Sequence, residues 1–364
     1  MKKILLLLLA VTVILASFAG CSGTSGGKDN TTNASSSTQS GTSKDSALSG
    51  EGDTLTMVWY PNESGEELKA ARDAIGMVLE KATGKKIQHK LTTDYVIAIE
   101  AIATGNAHVA FMGAQGYIEA HNKNPKVIPL VVNSGASGTL KDAMYYSWLN
   151  VKKGKESEYM KDGKYTIDNI QGKKFSFVSN SSTSGFKVPS AGIVSHFSKQ
   201  DKWKNLKSEN LIEGGKDKFF SEVLFGGSHQ GSAVNLLSGK ADVAAFCDTC
   251  VANYVELAEG KENTAGAVYR VKKDAVDPFK NFAGQEFVVI SVTPVLNAPF
   301  AVNTEKLSEK TVKAIKDAMM SDETAANKEI FVPKDSKFKG LFKEKERFVE
   351  VNDEWFNPIR ELSK

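Results

Sequence analysis

The sequence predicts an α/β protein of two lobes, each a mixed sheet flanked by helices, joined by two hinge strands. Strands alternate with helices along most of the chain, which favours largely parallel sheets. A unit of helix, glycine turn and short buried strand occurs twice, as YVIAIEAIATGNAHVAFMG and as GSAVNLLSGKADVAAF. The chain is expected to cross near Tyr145–Val151 and to return near Val292–Phe300. These observations predict lobe 1 at residues 53–147 plus 296–364, and lobe 2 at residues 148–295.

The individual elements follow from hydrophobic spacing and from glycine and proline stops. TLTMVWYP alternates and breaks at Pro61, as a first strand does. SGEELKAARDAIGMVLEKATGKK has apolar residues at helical spacing and a terminal glycine, which predicts an amphipathic helix. Later strands are predicted at KIQHKLT, VIPLVVN, AMYYSWLNV, GKKFSFVSN and VISVTPVLNAPFAVN, with a helix at FKVPSAGIVSHFSKQ and a helical region over residues 305–364.

The N-terminus predicts export and a lipid anchor. Residues 1–20 combine two lysines, an apolar run and small residues, the layout of a secretory signal peptide. FAGC resembles a lipobox, in which Cys21 would carry diacylglycerol; the alternative is an ordinary signal peptide with a coincidental cysteine. Residues 21–52 are rich in Ser, Thr, Gly and Asn, which predicts a flexible tether. We therefore expect a body anchored by lipid at the extracytoplasmic face of the cell membrane.

Charge and cysteine content exclude some functions and leave one question open. The formal net charge is +3 and no basic cluster stands out, so nucleic acid is not an expected partner. Cys247 and Cys250 form a C-x-x-C pair, but no second pair or histidines follow at a spacing that completes a zinc site. No metal is therefore expected. A disulfide and two free thiols both fit the sequence, because geometry decides between them.

A cluster of hydroxyl side chains lies where a predicted strand ends and a helix begins. Ser182, Thr183 and Ser184 precede Gly185 in the segment SNSSTSGFKVP. The first N–H groups of a helix lack partners and carry partial positive charge, so they bind anions. Hydroxyls add donors, and glycine lets the backbone come close. The segment predicts a cradle for a small oxyanion; the alternative is helix capping, for which one Ser or Thr suffices.

Two further segments direct polar groups to the same expected cleft. FGGSHQGSA places His229 at a helix start, where its side chain can donate to an oxyanion or simply cap and pack. Asp248 follows a short predicted strand in AAFCDTC. A carboxylate accepts the O–H of a protonated ligand and repels a fully ionised one. These residues therefore predict a site for an oxyanion that carries a proton.

Four segments together resemble the phosphonate-, phosphite- and phosphate-binding proteins of ABC importers. They are TDYVIAIEAIATGNAHVAFMGAQGYIEA, SSTSGFKVP, GGSHQGSAVNLLSGKADVAA and TPVLNAPFAV, and the resemblance covers roughly residues 55–340. It implies the type II periplasmic-binding-protein fold, in which two lobes close over the ligand without a cofactor. The implied partners of this monomeric binding protein are a small phosphorus oxyanion and an ABC permease with its ATPase.

The resemblance also implies roles for single residues. The hydroxyls and amides of Ser182, Thr183 and Ser184 hold the phosphorus oxygens, and His229 adds a donor. Tyr95 and Tyr145 match ligand-contacting tyrosines, although core aromatics are the alternative for each. Gln115 in GAQGY contacts the ligand or lines the cleft.

One segment departs from the family pattern. Asn297 and Ala298 stand where the aminophosphonate-binding relative carries an acidic residue for the ligand's ammonium group. Together with the shifted acidic residue Asp248, this puts 2-aminoethylphosphonate in doubt. Phosphate, phosphite and small alkylphosphonates remain open as ligands.

Two other function classes stay open. The same fold can serve a ligand sensor or an adhesin, since one fold hosts many functions. GGSHQG is close to the nucleophile elbow of serine hydrolases, but its closing glycine has the wrong spacing. We therefore expect a binding protein rather than an enzyme.

Overall fold

The computed structural model describes residues 51–336 and 338–362. The predicted signal peptide, Cys21 and all but the end of the predicted tether lie outside the described residues. Within the described ranges, no helix combines the length and the apolar character needed to cross a lipid bilayer.

Most strands of the described chain belong to two mixed sheets. The strands are β1 (Thr54–Trp59), β2 (Lys86–Leu91), β3 (Val109–Phe111), β4 (Val127–Asn133), β5 (Met144–Lys152), β6 (Met160–Lys161), β7 (Lys164–Tyr165), β8 (Lys174–Phe177), β9 (Glu222–Phe225), β10 (Val243–Cys247), β11 (Val255–Glu259), β12 (Val268–Val271), β13 (Glu286–Leu296), β14 (Pro299–Asn303), β15 (Phe331–Val332), β16 (Phe342–Lys343) and β17 (Phe348–Glu350).

Helices connect these strands and cover the sheets. The first helix ends where predicted, at Gly84, whose φ of 69° is a left-handed conformation that glycine adopts without strain. The α-helices are α1 (Lys69–Thr83), α2 (Tyr95–Ala103), α3 (Ala114–Lys123), α4 (Val188–Phe197), α5 (His229–Leu237), α6 (Asp248–Val251), α7 (Glu309–Met320), α8 (Asp322–Ala325) and α9 (Asn357–Glu361).

The first sheet has the order β17-β4-β14-β3-β1-β2. β1 runs parallel to β2 and β3, whereas β14 runs antiparallel to β3 and β4. β17 pairs antiparallel with β4 at the edge of the sheet. The prediction of helix throughout residues 305–364 is therefore wrong in part. A three-residue edge strand is too short to show the alternation that identifies a strand in a sequence.

The second sheet has the order β11-β12-β13-β5-β10-β8-β9. β10, β8 and β9 run parallel, whereas β5 runs antiparallel to β10 and to β13. Apolar clusters cover both faces of each sheet and include residues of α1, α2, α3 and α7 in the first, and of α4 and α5 in the second. The predicted α/β architecture of mixed sheets flanked by helices is confirmed. The expectation of largely parallel sheets is wrong, because antiparallel strand pairs outnumber parallel ones in the two sheets.

β5 and β13 carry the chain between the two sheets. They pair antiparallel from Lys152 and Phe287 to Met144 and Leu296, and they overlap the two segments predicted to cross. We call residues 51–143 and 297–362 lobe 1, and residues 144–296 lobe 2. The predicted domain ranges stay a prediction, because sheet membership does not show that either part folds alone.

Candidate ligand-binding site

The hydroxyl cluster forms a wide turn between β8 and α4. The Ser182 hydroxyl accepts a hydrogen bond from the N–H of Gly185 at 3.1 Å, and Thr183–Lys187 form a π-type turn that continues into α4. A Cβ at position 185 would lie 2.3 Å from Val178 Cγ2, so glycine is required there. All three hydroxyl residues, including Ser184, are buried. Capping of the local turn therefore explains Ser182 but not the other two.

The Thr183 hydroxyl reaches across the cleft to lobe 1. Its Oγ1 accepts from the backbone N–H of Gln115, the second residue of α3, at 2.9 Å. The residue before α3 is Gly113, which offers no side-chain cap. A Cβ at that position would lie 2.8 Å from Thr183 Oγ1. Glycine thus permits the approach, and a hydroxyl of lobe 2 caps a helix of lobe 1.

His229 presents a neutral donor to the same turn. It is the first residue of α5, after the capping residue Ser228, and burial lowers its pKa to about 3. Nδ1 accepts from the N–H of Cys247 at 3.0 Å, so the proton of the neutral ring is on Nε2. Nε2 lies 3.4 Å from Ser182 Oγ and 3.5 Å from Ser184 Oγ. The ring therefore directs an N–H toward the hydroxyl cluster.

Two stacked phenols approach this turn from lobe 1. Tyr95 begins α2, and its hydroxyl accepts from Asn62 Nδ2 at 2.6 Å and interacts with the Ser182 hydroxyl. The ring centroids of Tyr60 and Tyr95 lie 4.1 Å apart. Burial raises the pKa of both phenols, so both stay protonated. The Tyr60 hydroxyl is buried and has no hydrogen-bond partner among the described residues.

The hinge strand β5 carries one further predicted residue of the cleft and contacts another. Tyr145 lies on β5 with its hydroxyl near those of Ser184 and Thr183, and burial raises its pKa. Asp248, the first residue of α6, accepts from the N–H of Tyr146 through Oδ1 at 2.9 Å. Burial raises the pKa of this carboxyl group as well. The cleft therefore combines neutral donors with the carboxyl group of Asp248, which can share a proton with a ligand.

Comparison with known protein families identifies the chain. Residues 57–356 match the family model of the phosphonate ABC transporter's periplasmic substrate-binding protein. The chain belongs to this family. A curated relative, the phosphate-import protein PhnD of Mycolicibacterium smegmatis, is 29% identical over 220 residues. That match covers 58% of this chain and 61% of the mycobacterial protein.

Solved structures of this kind share the fold. A binding protein component of an ABC phosphonate transporter from Pseudomonas aeruginosa gives a TM-score of 0.61 at 19% identity and covers 85% of each chain. PhnD1 of Prochlorococcus marinus, solved in complex with methylphosphonate, gives 0.58 at 15% identity and covers 85% of this chain and 97% of that one. The predicted two-lobed periplasmic-binding-protein fold is confirmed, and the family is one of transport proteins.

Most of the residues predicted from the sequence lie together in this family fold, and their contacts with a ligand stay predictions. Gln115 contributes its backbone N–H, while its side-chain Nε2 donates to Glu119 Oε1 at 2.8 Å. Asn297 donates through Nδ2 to the backbone oxygen of Asn133 at 2.6 Å, which ties it to lobe 1. The predicted residues that converge on the cleft are Tyr95, Tyr145, Ser182, Thr183, Ser184, His229 and Asp248.

The turn after β1 supplies polar residues that were not predicted from the sequence. Asn62 Oδ1 accepts from the backbone N–H of His229 at 3.0 Å, and its carbonyl oxygen accepts from Gln230 Nε2 at 3.1 Å. Glu63 is buried, burial raises its pKa to about 8, and its Oε2 has no partner among the described residues. Together with Tyr60, these residues follow the carboxyl end of a strand, where α/β proteins bind ligands. Their position in WYPNES, directly after a predicted strand, was the signal that could have identified these residues from the sequence.

The structure also answers the question about the two cysteines. Cys247 and Cys250 are joined by a disulfide. His229 lies beside them, and the three side chains form a group of possible metal ligands. Sulfur binds a metal as a thiolate, which a disulfide does not provide. The residues present therefore do not fit a metal centre.

Proposed function

We propose that this protein captures a small phosphorus oxyanion, a phosphonate, phosphite or phosphate, between its lobes and delivers it to an ABC permease. The proposal rests on the convergence of the Ser182 and Ser184 hydroxyls with the Nε2–H of His229, next to the Thr183 hydroxyl that contacts Gln115 of lobe 1. Such groups bind oxyanions without a formal positive charge. The mycobacterial relative is named for phosphate import and PhnD1 was solved with methylphosphonate, which supports this ligand class.

The site chemistry favours a ligand that keeps one proton on oxygen. The hydroxyls and the imidazole N–H donate to the ionised oxygens, while the carboxyl group of Asp248 accepts the remaining O–H. Sulfate has no proton to offer near neutral pH, so its oxygen would face the Asp248 oxygens without a hydrogen bond. The mechanism needs no cofactor.

Hydrogen bonds between the lobes fit binding by closure. A ligand that contacts donors of both lobes adds to these bonds and shifts the population toward the closed form, which the permease recognises. The bonds that cross the cleft include those of Thr183 with Gln115, of His229 and Gln230 with Asn62, and of Ser181 with Glu119.

We propose in addition that Cys21 carries the lipid that holds a monomeric protein at the extracytoplasmic face of the membrane. The FAGC motif and the polar segment after it support this anchor. Mass spectrometry of the N-terminal peptide is expected to show a diacylglyceryl group on Cys21. An unmodified peptide that begins at another residue would contradict the proposal.

The function is tested by calorimetric titration of residues 53–364 after unfolding and dialysis have removed any bound ligand. The ligands are phosphate, phosphite, methylphosphonate, 2-aminoethylphosphonate and sulfate. We expect tight binding of one phosphorus oxyanion and no heat with sulfate. No binding of any phosphorus compound would contradict the proposed function.

A hydroxyl-specific pair of variants locates the binding to the proposed cradle. Thr183→Ala removes one donor and is expected to weaken binding by about 1–3 kcal/mol, the size of a hydrogen bond to a charged group. Thr183→Ser keeps the hydroxyl and is expected to retain most of the affinity. Unchanged affinity in Thr183→Ala would remove the hydroxyl cluster from the proposed site.

A further inference from the structure

The disulfide lies in a turn that forms part of the cleft. β10 ends at Cys247, α6 begins at Asp248, and the bridge to Cys250 closes a loop of four residues. Cys247 is fully buried, whereas Cys250 is partly exposed. A thiol reductant can therefore reach the bridge from the side of Cys250.

Each residue of this turn that contacts the cleft does so through a defined hydrogen bond. The backbone N–H of Cys247 donates to His229 Nδ1 at 3.0 Å and thereby sets the ring tautomer. Asp248 Oδ1 accepts a hydrogen bond from the backbone N–H of Tyr146 at 2.9 Å. The carbonyl oxygen of Cys250 accepts from Gln230 Nε2 at 3.2 Å. A shift of the turn would therefore move the imidazole and the carboxyl group relative to each other.

Besides those hydrogen bonds, the turn is held by Asn263, whose Nδ2 donates to Asp248 Oδ2 at 3.4 Å, by the burial of Val251, and by the covalent bridge itself. α6 spans Asp248–Val251, and a helix of one turn is not stable through its own hydrogen bonds. A bridge across so few residues removes less entropy from the unfolded chain than a long-range bridge does, so its contribution to global stability is at the low end for disulfides by the loop-closure account. The main effect of the bridge is then to fix the geometry of the turn at residues 247–250.

We propose that the Cys247–Cys250 disulfide is a positioning element of the ligand site, and that its reduction lowers ligand affinity while both lobes stay folded. The inference rests on the proposed function. In the step itself, a dithiol reductant attacks the sulfur of the partly exposed residue Cys250, the S–S bond breaks, and the reductant is oxidised to its own disulfide. The two electrons and two protons that it gives up produce two cysteine thiols.

The test compares oxidised, dithiothreitol-reduced and reoxidised full-length protein in detergent, with phosphate, phosphite and methylphosphonate as probes. We expect the Kd of the bound probe to rise at least about tenfold on reduction, in keeping with the loss of one well-placed hydrogen bond, and to recover on reoxidation. The double variant Cys247→Ser with Cys250→Ser is expected to match the reduced protein. Thr249→Ala, in the same turn with the disulfide kept, is the matched control and is expected to bind normally.

A second measurement separates positioning from general loss of structure. Nitrogen NMR of His229, assigned with a His229→Gln variant, is expected to show one Nε2–H tautomer in the oxidised protein and a mixture after reduction. Equal affinities in the two redox states would overturn the proposal, and so would a reduced protein that has lost its circular dichroism. If the oxidised protein binds no probe, the proposed function fails, and the tautomer alone then decides the role of the disulfide.

Discussion

On the lobe 2 side of the cleft the polar groups come from two short stretches of sequence, each at the start of a helix. Ser182–Ser184 and His229 belong to this lobe 2 half-site. On the lobe 1 side, Tyr60, Asn62–Glu63 and Tyr95 form a half-site from a turn and a helix start that lie apart in the chain. Each half-site therefore joins two segments that lie apart in the chain; in lobe 2 both segments are strand-to-helix junctions, whereas lobe 1 combines a turn with a helix start.

Both half-sites are uncharged at neutral pH, although burial shifts the pKa values of their titratable groups in opposite directions. Burial lowers the pKa of His229 to about 3, which keeps the imidazole neutral, and raises that of Glu63 to about 8, which keeps the carboxyl group protonated. Burial also keeps the phenols of Tyr60 and Tyr95 protonated. At neutral pH each half-site thus offers neutral donors, which is the arrangement that a small anion between two lobes requires.

The largest expected effect comes from breaking the backbone on which the lobe 2 half-site depends. A Cβ at Gly226 would lie 2.2 Å from the backbone nitrogen of Ser232 in α5. No rotamer can relieve this clash, so α5 must move and carry His229 away from the hydroxyl cluster. Gly226→Ala is expected to lower the unfolding free energy by about 3 kcal/mol, the upper end of the usual range for overpacking, as measured by urea unfolding. Calorimetric titration is expected to show weaker ligand binding as well.

A matched glycine provides the control. Gly192 lies in α4 on an exposed surface, and a Cβ there meets nothing within 4 Å. Gly192→Ala is expected to stabilise the protein by up to about 1 kcal/mol through helix propensity, without a change in affinity. If Gly226→Ala and Gly192→Ala changed stability and affinity to the same extent, the proposal that the lobe 2 half-site depends on backbone geometry would be wrong.

The next effect is on the pH dependence of folding stability, to which the two half-sites contribute with opposite sign. Between pH 4.5 and about 8 folded Glu63 keeps a proton that the unfolded chain releases, so stability falls as pH rises through this window. His229 acts in the opposite sense: between about 3 and 6.5 only the unfolded chain binds its proton, so stability rises with pH. The two slopes oppose each other between pH 4.5 and 6.5, and of these two groups only Glu63 contributes a slope above that.

Glu63→Gln isolates the lobe 1 contribution because it stays neutral at every pH. We expect the variant to lose the decline in unfolding free energy above pH 6.5, a slope of at most about 1.4 kcal/mol per pH unit. Urea unfolding at half-unit steps from pH 4 to 8.5 measures it. Identical pH profiles for the variant and the parent protein would show that Glu63 ionises normally in the folded state.

The contrast between the half-sites also explains what the sequence could predict. The hydroxyl turn and the His229 helix start were predictable because hydroxyls, glycines and a strand-to-helix change lie within a few consecutive residues. The alternation of strands and helices gave the fold class for the same reason. The edge strand β17 was missed, since three residues at a sheet edge carry no periodic pattern.

Of the lobe 1 half-site, Tyr95 was predicted from the sequence, whereas Tyr60, Asn62 and Glu63 were not. Nothing in WYPNES shows that Asn62 will bond to a residue 167 positions later, since that contact joins two different lobes. The disulfide was equally undetermined, because the distance between two cysteines in a C-x-x-C pair depends on the turn that they adopt. Contacts between residues far apart in the chain become visible only in the folded structure. The sequence alone shows which residues are candidates for such contacts.

The smallest expected effect tests whether the unpartnered phenol of lobe 1 belongs to the ligand site. Tyr60 is 2% exposed and its hydroxyl has no partner among the described residues, so the folded protein bears its desolvation cost. Tyr60→Phe is expected to leave the unfolding free energy unchanged or raise it by about 1 kcal/mol, while ligand affinity falls by up to about tenfold. Tyr117→Phe is the control, because that hydroxyl donates to Asp353 at 2.5 Å and its loss is expected to lower stability without changing affinity. A more stable Tyr60→Phe protein with full affinity would place Tyr60 outside the ligand contacts and confine the lobe 1 half-site to Asn62 and Tyr95.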